Sequence, residues 1–155
     1  MKTLIVFYSR TGTTRKVAGE LKVPLSADVE EIVDHKNRGG PIGFLQSGRE
    51  AKNEATPEID TPKMDPSGYD LVVICTPVWA SKMASPVRSY LTQMKEKLRR
   101  VAFLCTCGNP SGDVFEGMER LAGKPAATLV IKAKDMRSGE YAEMVKTFAE
   151  RVKAS

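Results

Sequence analysis

The sequence predicts an α/β fold, a five-stranded parallel β-sheet with helices on both faces forming a three-layer sandwich. Three observations lead there. Short apolar runs alternate five times with stretches whose apolar residues recur at helical spacing. Such alternation implies parallel strands joined by right-handed crossovers. Several runs are continuous and rich in β-branched residues, as strands covered on both faces should be. The chain has 155 residues, 41% of them hydrophobic, enough for one substantial core, and residues 1–155 read as a single domain.

The strands are expected at Leu4–Tyr8, at Val29–Val33, at Leu71–Cys75, at Val101–Cys105 and at Ala127–Ile131. The second is the weakest, because Glu30 and Glu31 interrupt it. A first helix spans Thr13 to Leu21. After Pro86, at a position where a first helical turn tolerates proline, Val87, Tyr90, Leu91, Met94 and Leu98 share a face. Val114, Phe115, Met118, Leu121 and Ala122 form another, closed by Gly123. Tyr141, Met144, Val145, Phe148 and Val152 form the last. Between His35 and Gly68 the chain is rich in glycine, proline and charge, and only a helix near Phe44–Asn53 is expected there.

Composition narrows the function. Lys and Arg number 24 against 19 Asp and Glu, a net charge of +5 scattered along solvated helix faces, apart from a cluster between Lys95 and Arg100. No nucleic-acid-binding module accompanies it, so no nucleic acid is expected. Three cysteines do not suit a secreted disulfide framework, and one histidine without a CxxC pair offers too few ligands for zinc, so no metal is expected. No apolar stretch approaches the roughly 18–20 residues of a membrane span. Met1-Lys2-Thr3 leads directly into a strand without a signal-like segment. The expectation is a cytoplasmic protein.

Parallel sheets of this kind bind ligands beyond the carboxyl ends of their strands. Beyond the first strand lies Ser9-Arg10-Thr11-Gly12-Thr13-Thr14, where a strand passes into a helix. A helix N-terminus carries unpaired N–H groups and about half a positive charge. Small hydroxyl side chains add donors, and Gly12 lets the backbone curl around a guest, which describes a phosphate cradle. One hydroxyl would serve as a helix cap; four flanking a glycine exceed that need. The GxxxxGK[ST] and GxGxxG patterns are both absent.

"SRTGTT" after "LIVFY" resembles the T/S-x-T-G-x-T loop of the flavodoxin family, which holds the phosphate of FMN. The resemblance covers nearly the whole chain and implies strand order 2-1-3-4-5, FMN as cofactor, and Ser9 to Thr14 around its phosphate. It further implies that Thr76, Pro77, Val78, Trp79 and Ala80 follow the third strand beside the flavin ring. Trp79, the only tryptophan, would be its planar neighbour, with Lys82 nearby. Thr106, Cys107, Gly108 and Asn109 would line the ring with backbone amides. Typical members carry a second stacking aromatic in this last loop. Here none occurs before Phe115, which the helical pattern assigns to the core.

Cys105-Thr106-Cys107 is not a phosphatase loop, since the positions six residues on are Ser111 and Asp113 rather than arginine. Cys75 and Cys105 read as small buried residues, and Cys107 as the one thiol with a redox option. A response-regulator reading fails for want of an acidic cluster at the strand ends. The resemblance implies an FMN-dependent electron carrier serving a redox partner protein or a small-molecule acceptor, as monomer or homodimer. The alternatives are an NAD(P)H-dependent quinone or nitro-compound reductase on the same fold, and a flavin-free interaction module; no catalytic residue is assigned. Arg10, Lys82 and Arg88 are the cations expected near the ring by loop position, with Asp113 opposing them. Typical flavodoxins are acidic, whereas this chain is basic, which shifts the expected partners toward acidic proteins or anionic substrates.

Overall fold

A computed structural model describes residues 1–108 and 111–155. Strands β1 (Thr3–Phe7), β2 (Asp28–Glu31), β3 (Leu71–Trp79), β5 (Arg100–Cys107) and β6 (Thr128–Lys132) form one parallel sheet in the order β2-β1-β3-β5-β6. This is the expected 2-1-3-4-5 arrangement. A two-residue strand, β4 (Lys82–Met83), adds to β3 in antiparallel fashion at Val78 and Trp79.

Two apolar clusters explain why both faces are covered. Successive side chains on a strand point to opposite faces. On β1, Leu4 and Val6 face one cluster with Val87, Tyr90 and Leu91 of α3 (Ser85–Met94) and Met118 of α4 (Val114–Ala122). Ile5 and Phe7 face the other, with Val17 and Leu21 of α1 (Thr13–Leu25) and Val145, Phe148 and Val152 of α6 (Tyr141–Ala154). Fully burying each of these side chains is worth about 1.5–3 kcal/mol, so the central strands hold the sheet ends in fixed register. Cys75 and Cys105 are buried on the sheet, where burial pushes both thiols up, Cys105 to about 12.

Several elements depart from expectation. Helix α1 runs past Leu21 and includes Pro24, because the loss of one N–H in the last turn is tolerated while Leu25 is buried. Strand β2 survives its two glutamates at the sheet edge: Glu30 accepts from the Met64 N–H at 2.8 Å, and Glu31 pairs with Arg15. Helix α2 begins earlier than expected (Gly40–Lys52), with Pro41 in its first turn. A short helix, α5 (Ala133–Ser138), follows β6, its first turn tied by the Lys132 N–H donating to Asp135 at 2.8 Å. Among the described residues, no helix is long and apolar enough to cross a membrane.

The largest departure is in the third strand. Its expected end was Cys75, but β3 continues to Trp79 and turns through Ala80 and Ser81 into β4. Both turn residues have positive φ (50° and 66°), the geometry of a tight two-residue hairpin, which neither Ala nor Ser favours. The turn is held from below by the Asp113 N–H, which donates to the Ser81 carbonyl at 3.2 Å.

Candidate functional site

The carboxyl ends of β1, β3, β5 and β6 open into a cleft of ≈ 380 Å³. Its first wall is the Ser9–Thr14 loop. Gly12 precedes α1 with φ 101°, and its N–H donates to Ser9 Oγ at 3.0 Å, which curls the loop. No side chain caps α1, so the hydroxyls of this segment are not spent as helix caps. Thr11 and Thr13 are exposed at the cleft, whereas Thr14 is buried and shares a hydrogen bond of 2.8 Å with Thr106. That bond pins the start of α1 to the end of β5.

Pro77, Val78 and Trp79 on β3 line the cleft as well, together with Thr106, Cys107 and Gly108 at the end of β5. Burial pushes the Cys107 thiol up, with Lys132 partly opposing it. Asn109 lies outside the described residues. Three expected site residues stand apart from the lining. Gly12 acts through the backbone of its loop. Thr76 is buried and spends its hydroxyl internally, donating to the Pro77 carbonyl at 2.8 Å and accepting from the Ala84 N–H at 3.0 Å. Ala80 sits in the hairpin turn and faces a neighbouring groove.

Sequence reasoning missed a second set of lining residues. Phe44 reaches the cleft from α2, and Lys132, Met136 and Arg137 from β6 and α5. The charged residues of the lining are Arg10, Lys132 and Arg137; among the described residues no carboxylate joins them. The cations expected from loop position are otherwise engaged. Lys82 pairs with Asp113 at 3.4 Å and Glu54 at 3.8 Å, and the buried Arg88 lies 4.0 Å from Glu54. Arg10 donates to the carbonyls of Arg38 (2.9 Å) and Gly40 (3.2 Å), with its guanidinium over the Phe44 ring.

Arg38, which sequence reasoning did not single out, stands beside the site in the neighbouring pocket and supports it through Trp79. It is buried, paired with Asp34 and with Glu50 at 2.9 Å, and donates to Ser47 at 3.1 Å. Its guanidinium stands 5.2 Å from the Trp79 ring centroid, a cation–π contact, while Tyr8 meets the same indole edge-on at 5.5 Å. Burial alone would raise the Glu50 carboxyl, but hydrogen bonds from Arg38, Lys36 and Ser85 outweigh it and hold the group at about 2. Burial, reinforced by Asp34, pushes the Tyr8 hydroxyl up to about 12, so it stays protonated. Gly43 completes the fit, since a Cβ there would fall 2.3 Å from the Arg38 carbonyl group. Phe115 stacks on Phe103 at 6.3 Å and so turns toward the core.

No family model and no curated protein matches this chain. Solved structures do. A flavoprotein in complex with FMN from Lactobacillus acidophilus NCFM is 23% identical, with a TM-score of 0.72 over 88% of this chain and 97% of that one. The two-electron reduced flavodoxin of Megasphaera elsdenii is 21% identical, with a TM-score of 0.62 over 96% and 98%. A flavodoxin, WrbA-like protein from Agrobacterium tumefaciens is 11% identical, with a TM-score of 0.60 over 99% and 98%. The chain has the flavodoxin-like fold.

Proposed function

We propose that this protein holds FMN in the cleft and serves as an electron carrier through it. The observation that carries the reading is the uncapped start of α1, opening with Thr11 and Thr13 into a cleft whose charged residues are all cations. A phosphate group fits that wall: helix N–H groups, small hydroxyls and unopposed positive charge are what a dianion needs. The apolar wall at Pro77, Val78 and Trp79 suits a flat ring, for which an indole is a stacking partner. Because Arg38 occupies one side of the indole, the ring would take the other. FMN, when bound, supplies the one- and two-electron chemistry; the chain binds, orients and screens it. The FMN complex of the Lactobacillus protein supports the same choice of cofactor.

Phe115 favours one rival. With that side chain packed on Phe103, the β5–α4 loop offers no stacking aromatic among the described residues, which suits a reductase that admits substrate over the ring. Anaerobic titration of the FMN-loaded protein with NADH and NADPH separates the two: rapid reduction by either favours the reductase. Binding itself is read from Trp79, the only tryptophan. Its emission should be quenched by FMN, with riboflavin binding more weakly for want of the phosphate. Equal affinity for both would remove the phosphate assignment, and a colourless protein that ignores FMN would leave an interaction module.

A further inference from the structure

Helix α2 is amphipathic the wrong way round. It packs on the body of the protein through small residues, Gly43, Ser47 and Ala51. Its large apolar side chains point outward: Ile42, Phe44 and Leu45 are 71%, 65% and 70% exposed. A helix that serves only the core buries such residues, and a cluster of them in solvent marks an interaction surface. Beside them runs a groove of ≈ 520 Å³ between α2 and the Ala80 turn, bordered by Phe44, Leu45, Arg49 and Lys52. Phe44 also lines the cofactor cleft, so the groove begins at the edge of the proposed flavin site.

The charge of this surface is one-sided. Among the described residues no carboxylate lines the groove. Glu50 of α2 is engaged by Arg38 and Lys36, and Glu54 just beyond it pairs with Lys82 and Arg88. Arg49 and Lys52 therefore present their charge outward around an apolar centre.

We infer that the outer face of α2 and its groove are the docking site of an acidic electron-transfer protein, one with an apolar centre ringed by carboxylates. The inference rests on the flavin reading for the partner's business, and on α2 for its chemistry. Complementary charge speeds encounter and fixes orientation, while the apolar centre supplies the affinity. A second copy of this chain fits poorly. Two such faces would oppose cation to cation, with no carboxylate on either to answer them. A bilayer would engage the protruding Ile42, Phe44 and Leu45 but leave the groove unused. The groove's continuity with the cleft through Phe44 favours a redox protein.

The probe is a plant-type ferredoxin, an acidic iron–sulfur protein, added to the isotope-labelled protein at low ionic strength. Amide shifts should cluster at Leu45, Gly48, Arg49 and Lys52, and binding should weaken as salt rises. Basic cytochrome c should not produce them. The surface variants Arg49→Glu with Lys52→Glu, and Ile42→Ser with Leu45→Ser, should each weaken ferredoxin binding about tenfold or more while FMN affinity is unchanged. That separation keeps the two readings apart, because failure of FMN to bind breaks the functional proposal whatever α2 does. Absence of ferredoxin binding, or binding indifferent to both variants, overturns the docking site. So does a dimer in sedimentation that the α2 variants dissolve, or binding to phosphatidylglycerol vesicles that they abolish.

Discussion

The Ser9–Thr14 loop lines the cleft, the segment from Asp34 to Gly40 lines the pocket next to it, and the two are built by opposite means. The loop is local. Its curl is one hydrogen bond across three residues, from the Gly12 N–H to Ser9 Oγ, and the helix that starts there has no side-chain cap. The 34–40 segment has no regular structure until α2 begins and is held by distant partners: Glu50 for Arg38 and Lys36, and the Arg10 side chain for its carbonyls. Local hydrogen-bond chemistry can be replaced piece by piece. A buried ion cluster stands or falls together.

The largest expected effect follows from that contrast. Arg38→Met removes the one cation shared by Asp34 and Glu50, two carboxylates that are themselves almost wholly withdrawn from water. Breaking a buried pair from one side costs about 3–5 kcal/mol, and here Asp34 loses its cation while Glu50 keeps only the exposed Lys36 cation at 2.8 Å. Urea unfolding should register that loss. The emission of Trp79 in the FMN-free protein should shift as well, since the guanidinium leaves its ring. Adding Asp34→Asn and Glu50→Gln to Arg38→Met should recover part of the stability. If the triple variant is less stable than Arg38→Met, the carboxylates are not the source of the cost.

Glu50 gives the same comparison a pH axis. Its folded carboxyl sits at about 2, below the ordinary value of 4.5, so folding favours the ionised form. The stability it contributes is complete above pH ~4.5 and drains away as pH falls toward ~2. Glu50→Gln should therefore flatten the acid limb of the stability–pH curve within that window. At neutral pH its cost should be smaller than that of Arg38→Met, because an amide oxygen still accepts hydrogen bonds. An unchanged acid limb would assign the titration to other carboxylates.

These contrasts explain what was legible in the chain. The alternation of strands and helices, both helical layers and the hydroxyl-rich strand-to-helix loop are written in contiguous residues, as continuous apolar runs and hydroxyls beside a glycine. The strand order came with the family resemblance. The burial of Arg38 is in neither. Nothing in "DHKNRGG" says that its arginine will be buried: Asp34 lies within the stretch, but Glu50 is twelve residues away and the indole forty-one. The strand beyond Cys75 was hidden for a related reason: Pro77 reads as a strand breaker, yet β3 runs through it to Trp79. Lys132 and Arg137 looked like two more solvated charges until β6 and α5 brought them to the cleft.

On the loop side, effects should be confined to the ligand. Thr11→Ala and Thr13→Ala each remove an exposed hydroxyl, so neither should alter stability appreciably. A hydrogen bond to a charged acceptor is worth about 1.5–3 kcal/mol, and FMN affinity should fall accordingly, by roughly 10–150-fold per hydroxyl. Riboflavin affinity should stay where it was. Equal losses for the two ligands would mean that the loop shapes the ring site rather than cradling a phosphate.

The smallest effect belongs to the cations across the cleft, and it separates long-range charge from contact. A unit charge acting on another over about 10 Å at an effective dielectric near 40 contributes roughly 0.8 kcal/mol. The phosphate, at about −1.5 to −2, would feel about 1.2–1.7 kcal/mol. Lys132→Gln and Arg137→Gln should thus each weaken FMN by about tenfold at low ionic strength, and by less at physiological salt, where charges are screened within about 8 Å. The Thr11 and Thr13 losses, being contacts, should change little with salt. Lys82→Gln is the internal control: its charge is already answered by Asp113 and Glu54, so FMN affinity should hardly move. Isothermal titration with FMN and riboflavin at two salt concentrations measures all of this. If Lys82→Gln costs as much as Arg137→Gln, net charge rather than the cleft's own cations governs the cofactor. If neither variant shows a salt-dependent loss, the α1 terminus and its hydroxyls hold the phosphate alone.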